Sequence, residues 1–235
     1  MPISGSILLP PIPTTLLQID ETTVGQHFLL RPTDICYHIW EYTRRGGFNA
    51  SPTNNLISNL KKKPTKLAGN PREAPWKERA VTYCAQATQS LINRAWIDGY
   101  GTMIPVPCSK IAGHPDHDDR LLRVLRLAFQ GSAADIRPLL TQTISTTADH
   151  ETSERQRFEQ LLAVTRIDEA LIGVGVRQQI MVFDDVLNSG KHFKVAQQLL
   201  AQRFPGTPII GMFLARCLPD PLVQLDPSPE QSANT

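Results

Sequence analysis

The chain has 235 residues, 41% of them apolar and 20% charged, enough to bury a sizeable core in one domain of ordinary globular composition. Its 24 Lys and Arg against 22 Asp and Glu leave a formal charge of +2, which does not indicate nucleic acid as a partner. The longest apolar stretch, Ile209 to Ala215, falls far below the roughly 18 residues of a membrane-spanning helix, so no membrane partner is expected.

The opening MPISGSILLPPIPTT lacks a basic leader and breaks its apolar run at Pro10 and Pro11, unlike a secretory signal, so a cytoplasmic location is expected. Cys36, Cys84, Cys108 and Cys217 are far apart and form no C-x-x-C pair, which predicts four free thiols. Residues 1–33 are rich in Pro and Thr, and residues 218–235 in Pro, Asp and Ser. Both ends are therefore expected to be extended or frayed, with the folded part between them.

A helical region is expected over residues 34–98. Ile35, Ile39 and Tyr42 recur at near-helical spacing and predict a first helix from Asp34 to Arg44, stopped by Gly46 and Gly47. A second helix is expected from Thr53 to Lys63 and a third from Trp76 to Trp96. Lys61, Lys62 and Lys63 read as a solvated helix end.

An α/β core is expected over residues 99–217. Gly101 to Pro107 reads as a short strand, and Asp119 to Gln130 as a helix that buries Leu121, Leu122, Leu125, Ala128 and Phe129. A polar loop follows, then a helical piece (Arg155 to Ala163) and a short strand (Ala163 to Ile167). The deciding pattern comes next. Gln178 to Phe183 is a near-continuous apolar run, Asp184 to Lys191 a polar loop, His192 to Phe204 an amphipathic helix, and Pro208 to Cys217 a second apolar run. Strand, helix and strand in that order make a βαβ unit and a parallel sheet.

Ligands of open parallel sheets bind beyond the carboxyl ends of the strands, which directs attention to DDVLNSGKH, residues 184–192. Gly190 lets the backbone approach a ligand. Amide groups at the helix start, with Asn188 and Ser189, form an anion cradle. Asp184 and Asp185 beside that cradle suit ribose hydroxyls or metal-bound water. The alternative is that the acids merely cap the next helix. Two carboxylates side by side also predict mutual repulsion, so that Asn at both positions would leave stability level or raise it.

The run IMVFDDVLNSGKH resembles the 5-phosphoribosyl 1-diphosphate (PRPP) motif of the type I phosphoribosyltransferase family: an apolar strand, two acids, two apolar residues and a Gly loop opening a helix. MIPVPCSK, residues 103–110, resembles the diphosphate loop of the competence-associated ComF-like branch, and Arg155 and Phe158 its mobile-loop region. The resemblance implies a central parallel sheet flanked by helices, with an extra N-terminal helical region. It also implies that catalytic Asp184 and Asp185 hold the ribose hydroxyls and Mg²⁺, and that Asn188, Ser189, Gly190, Lys191 and His192 wrap the 5′-phosphate. Cys108, Ser109 and Lys110 would then face the diphosphate.

The chain departs from the family at two motif positions. Asn188 stands where purine-salvage members carry an acid, and His192 stands in place of a hydroxyl residue. The zinc-binding cysteines of the ComF-like branch are missing as well. The expected function is phosphoribosyl transfer to an unknown acceptor. The alternative is a non-catalytic PRPP- or nucleotide-binding module, acting as a sensor or as a subunit of a larger competence or defence assembly; a homodimer or hetero-complex is open in either case.

Three other features carry less weight. His114-Pro-Asp-His117-Asp-Asp119 holds metal-ligand types but reads equally as an N-cap and acidic first turn. His150 lies in a polar loop, and Gly173 and Gly175 lack the third Gly of a dinucleotide fingerprint.

Overall fold

The structure, a computed structural model, describes residues 9–146 and 154–219. Its centre is β7 (Gln179–Leu187), whose Ile180 to Asp185 are all buried. Such a run, apolar on both faces, belongs in the interior of a parallel sheet. One side of β7 pairs in parallel with β8 (Ile209–Leu218), and the other with β3 (Gly101–Pro105). Beyond β8 lies β2 (Cys36–Thr43), also parallel, edged by the two-residue antiparallel β1 (Leu17–Gln18). The other edge is β4 (Asp135–Ile136), so the mixed sheet has the order β1-β2-β8-β7-β3-β4.

β2 corrects the expected helix from Asp34 to Arg44. Cys36, His38, Ile39 and Trp40 are all buried, so the segment shows no polar face, and spacing alone does not separate helix from strand. The partner decides: β2 runs beside β8 from Cys36↔Gly211 to Thr43↔Leu218.

The expected helices over the next stretch form with shorter bounds. α1 (Pro52–Leu60) starts at Ser51, which accepts from the Asn54 amide at 3.0 Å, with Pro52 in the first turn, where its missing N–H costs nothing. The Asn54 side chain accepts from the Thr43 amide and donates to the Thr43 and Gly47 carbonyls, joining α1 to the end of β2. A short α2 (Pro64–Gly69) leads to α3 (Ala74–Leu91), which ends where Ile92 turns extended. α4 (Arg120–Ala128) buries Leu121, Val124, Leu125 and Ala128. α1 and α4 both pack on α3.

After β4 the chain leaves the main sheet. β5 (Leu140–Gln142) pairs antiparallel with β6 (Thr165–Ile167), and α5 (Glu154–Val164) precedes β6. The expected strand at 163–167 is thus present, as Thr165–Ile167, but belongs to this separate two-stranded sheet. β7, α6 (Lys191–Arg203) and β8 form the expected βαβ unit, with Phe193 of α6 meeting Phe213 of β8 edge to face. Among the described residues no helix is long and apolar enough to cross a membrane.

The N-terminal segment is largely irregular and is not frayed over its described part. Ile19, His27 and Leu30 are buried, and Trp40 and Tyr83 bond the Pro11 and Pro10 carbonyls. The described cysteines are free, and Cys36, Cys84 and Cys217 are buried. Residues 1–8, the tail from residue 220, and His150 lie outside the described residues.

Candidate functional site

From the centre of the sheet, β3 leads outward through α4 to β4, whereas β7 leads the opposite way through α6 to β8. Connections that diverge from two neighbouring strands leave a crevice at their carboxyl ends, the usual ligand position in such sheets. Two clefts occupy it. One, of about 390 Å³, is lined by Cys108, Ser109, Lys110, Arg120, Leu140 and Gln142. The other, of about 560 Å³, is lined by residues 188–193 with Tyr42, Arg44 and Cys217. Both share Lys61, Asp184, Asp185 and His192. All ten expected site residues therefore line one crevice.

The acids lie within β7 rather than in a loop after it. Neighbouring residues of a strand point to opposite faces, and the pair obeys this rule. Asp184 accepts from His192 Nδ1 at 3.1 Å and from the Asp185 amide at 2.7 Å. Asp185 turns the other way: Lys61 Nζ lies 2.7 Å from its Oδ1, and Arg120 Nη2 2.6 Å from its Oδ2. Arg120 also reaches Asp118 at 3.1 Å, and Asp118 meets the buried Lys77 at 2.7 Å. Burial works against the Asp185 charge, but Lys61 and Arg120 outweigh it and hold the carboxyl well below its ordinary range.

This geometry changes three expectations. The acids do not repel across a shared space, because each has its own partners on its own face. Lys61 is more than a solvated helix end: though partly exposed, it pairs with Asp185, and Lys62 pairs with Glu73 at 3.0 Å, while Lys63 is the most solvated of the three. Nor does Asp185 fit as a direct Mg²⁺ ligand, since both its oxygens already face cations. Among the described residues no group of three or more His, Cys, Asp or Glu side chains is placed to hold a metal ion. In the His114 to Asp119 run, His114 Nδ1 accepts from the Asp116 amide, His117 Nδ1 donates to the Lys110 carbonyl, and Asp118 holds Lys77 and Arg120.

The loop from Asn188 to Gly190 turns with Gly190 at φ +85°, the left-handed region that favours glycine, and α6 starts directly after it. Among the described residues no side chain caps that helix start. Across the crevice, the loop of Cys108 to Lys110 is held by its own bonds. Lys110 Nζ donates to the Thr146 carbonyl at 2.9 Å, and the Thr146 amide donates to the Ser109 carbonyl at 2.8 Å.

Sequence reasoning missed Lys61 and Arg120 as partners of Asp185, and His27 as a neighbour of the loop. Lys61 and Arg120 stand at the end of α1 and the start of α4, far from Asp185 along the chain, and no local pattern joins them. Arg120 alone carried a signal, a helix start directly after four polar residues. Compared with known family models, characterised proteins and solved structures, the chain gives no match.

Proposed function

We propose that this protein binds PRPP or a closely related ribose phosphate, carried as its Mg²⁺ complex, and transfers the phosphoribosyl group to an acceptor. The observation that supports this reading is the convergence, at one crevice, of three features: a carboxylate pair on the central strand, a left-handed glycine loop opening a helix, and the Ser109-Lys110 loop opposite. In this reading the amides at residues 189–192 hold the 5′-phosphate, because a helix start carries partial positive charge. Asp184 accepts from a ribose hydroxyl, with His192 beside it. Lys61 and Arg120 keep Asp185 ionised and add positive charge next to the departing diphosphate. In the reaction the bond from C1′ to the diphosphate oxygen breaks, a bond from the acceptor nucleophile to C1′ forms, and the acceptor releases a proton to solvent. Catalysis of this kind rests on positioning and charge neutralisation rather than on a protein nucleophile.

One observation favours a second reading, binding without turnover. Asp185 is already neutralised on both oxygens, and the Asn188 amide cannot accept a proton as a general base. Titration calorimetry with PRPP and Mg²⁺, followed by a diphosphate-release assay over purines, pyrimidines and small amines, separates the two. Binding with release supports transfer; binding without release from any acceptor supports the module; no binding at millimolar PRPP overturns both.

A further inference from the structure

The carbonyls of the glycine loop are held from behind by the N-terminal segment. His27, 1% exposed, donates from Nδ1 to the Asn188 carbonyl at 2.6 Å, and the Leu29 amide donates to the Ser189 carbonyl at 2.9 Å. Leu30 fills the space behind Gly190, where an added Cβ would lie 2.8 Å from Leu30 Cδ2. The segment is itself tied at both ends: Gln26 accepts from Arg216 of β8 at 2.7 Å, and Asp34 accepts from Lys194 of α6 at 2.8 Å.

In a planar trans peptide the N–H points opposite to the C=O of the same unit. A donor that draws the Asn188 carbonyl toward the segment therefore turns the Ser189 N–H away from it. The Leu29 amide does the same for the Gly190 N–H through the Ser189 carbonyl. Two successive amides aimed to one side are the element from which anion-binding backbone concavities are built. His27 Nε2, by contrast, is buried with no partner among the described residues, so the polar contact of the ring is the one made by Nδ1.

We propose that His27 is a positioning residue of the anion-binding loop, acting through the Asn188 carbonyl to aim the loop amides at a ligand phosphate. The inference rests on the phosphate reading of that loop given above. Asn and Gln at position 27 separate it from a packing role, because Asn places an N–H near the Nδ1 position whereas Gln places its N–H at the far end of the side chain.

Ribose 5-phosphate and PRPP are titrated calorimetrically against the wild type and the His27→Asn, His27→Gln and His27→Ala variants, well below their unfolding temperatures. Amide hydrogen exchange over residues 186–192 is measured without ligand. His27→Asn is expected to bind within about twofold of the wild type, and His27→Gln and His27→Ala about tenfold more weakly, the loss of one hydrogen bond. Loop exchange is expected to quicken in the latter two alone. Equal affinities for Asn and Gln, or unchanged affinity in a folded Ala variant, overturn the proposal. If the Ala variant does not fold, the Asn and Gln pair decides. If the wild type binds neither compound, the phosphate reading fails, and loop exchange that Gln leaves unchanged overturns the coupling as well.

Discussion

Lys77 Nζ lies 2.7 Å from Asp118 Oδ2, with the two side chains only 3% and 7% exposed. The same ammonium donates to the Leu60 and Lys62 carbonyls at 3.1 and 2.7 Å, so it closes the end of α1 while anchoring the residue that holds Arg120. Charges alternate from Lys77 through Asp118, Arg120 and Asp185 to Lys61, leading from α3 to the mouth of the crevice. Each member has an opposite neighbour. That is the condition under which buried charges are tolerated.

Removing the innermost cation strands that series. Lys77→Met leaves Asp118 with Arg120 alone and takes the donor from two carbonyls at the end of α1. A loss of about 3–5 kcal/mol is expected, the usual cost of breaking a buried pair from one side. Urea unfolding measures it. Ribose 5-phosphate affinity of the folded variant should stay near that of the wild type, because Lys77 does not line the crevice.

Asp185→Asn is expected to destabilise the protein, by about 3 kcal/mol, since it leaves Lys61 and Arg120 facing each other across a neutral amide. Lys61 is 42% exposed and can turn to solvent, which holds the cost at the lower end. Asp184→Asn should cost less, because an amide oxygen still accepts from the Asp185 N–H. Unfolding midpoints compared side by side check the order. A rise for Asp185→Asn would mean that the series does not stabilise the fold.

The contrast between the two acids marks what was legible in the sequence. Apolar runs and the glycine between them sufficed to place β7, α6 and β8, because strand length and helix period are local properties. Leu56, Leu60, Val81, Leu121 and Leu125 follow a helical period for the same reason, and their helices form close to the expected bounds. β2 was not legible: a strand buried on both faces has no alternation, and Ile35, Ile39 and Tyr42 fall at helix-like intervals by coincidence. The partners of Asp185 were not legible either. Lys61 and Arg120 reach it only because α1 ends and α4 begins beside the carboxyl end of the central β7.

Acid should weaken the fold in two stages. Burial lowers the His38 pKa to about 4 and that of His27 as well, so the native state keeps both rings neutral while the unfolded chain protonates them near 6.5. The unfolded state then binds more protons, and stability falls as pH drops from about 6.5 toward 4, by up to about 1.4 kcal/mol per pH unit through His38, with His27 adding a loss in the same direction. Below about pH 4 the depressed carboxyls of Asp185 and Asp34 add a second loss, since their stabilisation is complete only above the unfolded carboxylate range. His38 Nδ1 donates to the Trp40 carbonyl at 3.0 Å, a bond that Asn can retain. His38→Asn should therefore flatten the first stage and leave the second. Denaturant midpoints between pH 3 and 8 report both, and an unchanged slope above pH 4 would count against a neutral buried His38.

Two glycines with nearly the same backbone separate conformational strain from loop function. Gly190 has φ +85° and Gly206 φ +81°, but a Cβ at Gly206 meets nothing within 4 Å, whereas one at Gly190 meets Leu30 at 2.8 Å. Alanine at either position carries the left-handed penalty of about 1–2 kcal/mol, so thermal midpoints should fall in both variants. Gly190→Ala must also displace Leu30 and with it the segment that holds the Asn188 and Ser189 carbonyls. Its midpoint should fall further, and ribose 5-phosphate binding should drop at least tenfold, while Gly206→Ala binds as the wild type does. Adding Leu30→Ala to Gly190→Ala removes the collision but not the strain. The double variant should recover part of the stability lost beyond the Gly206→Ala level, and equal midpoints for the single and double variants would show that Leu30 does not brace the loop.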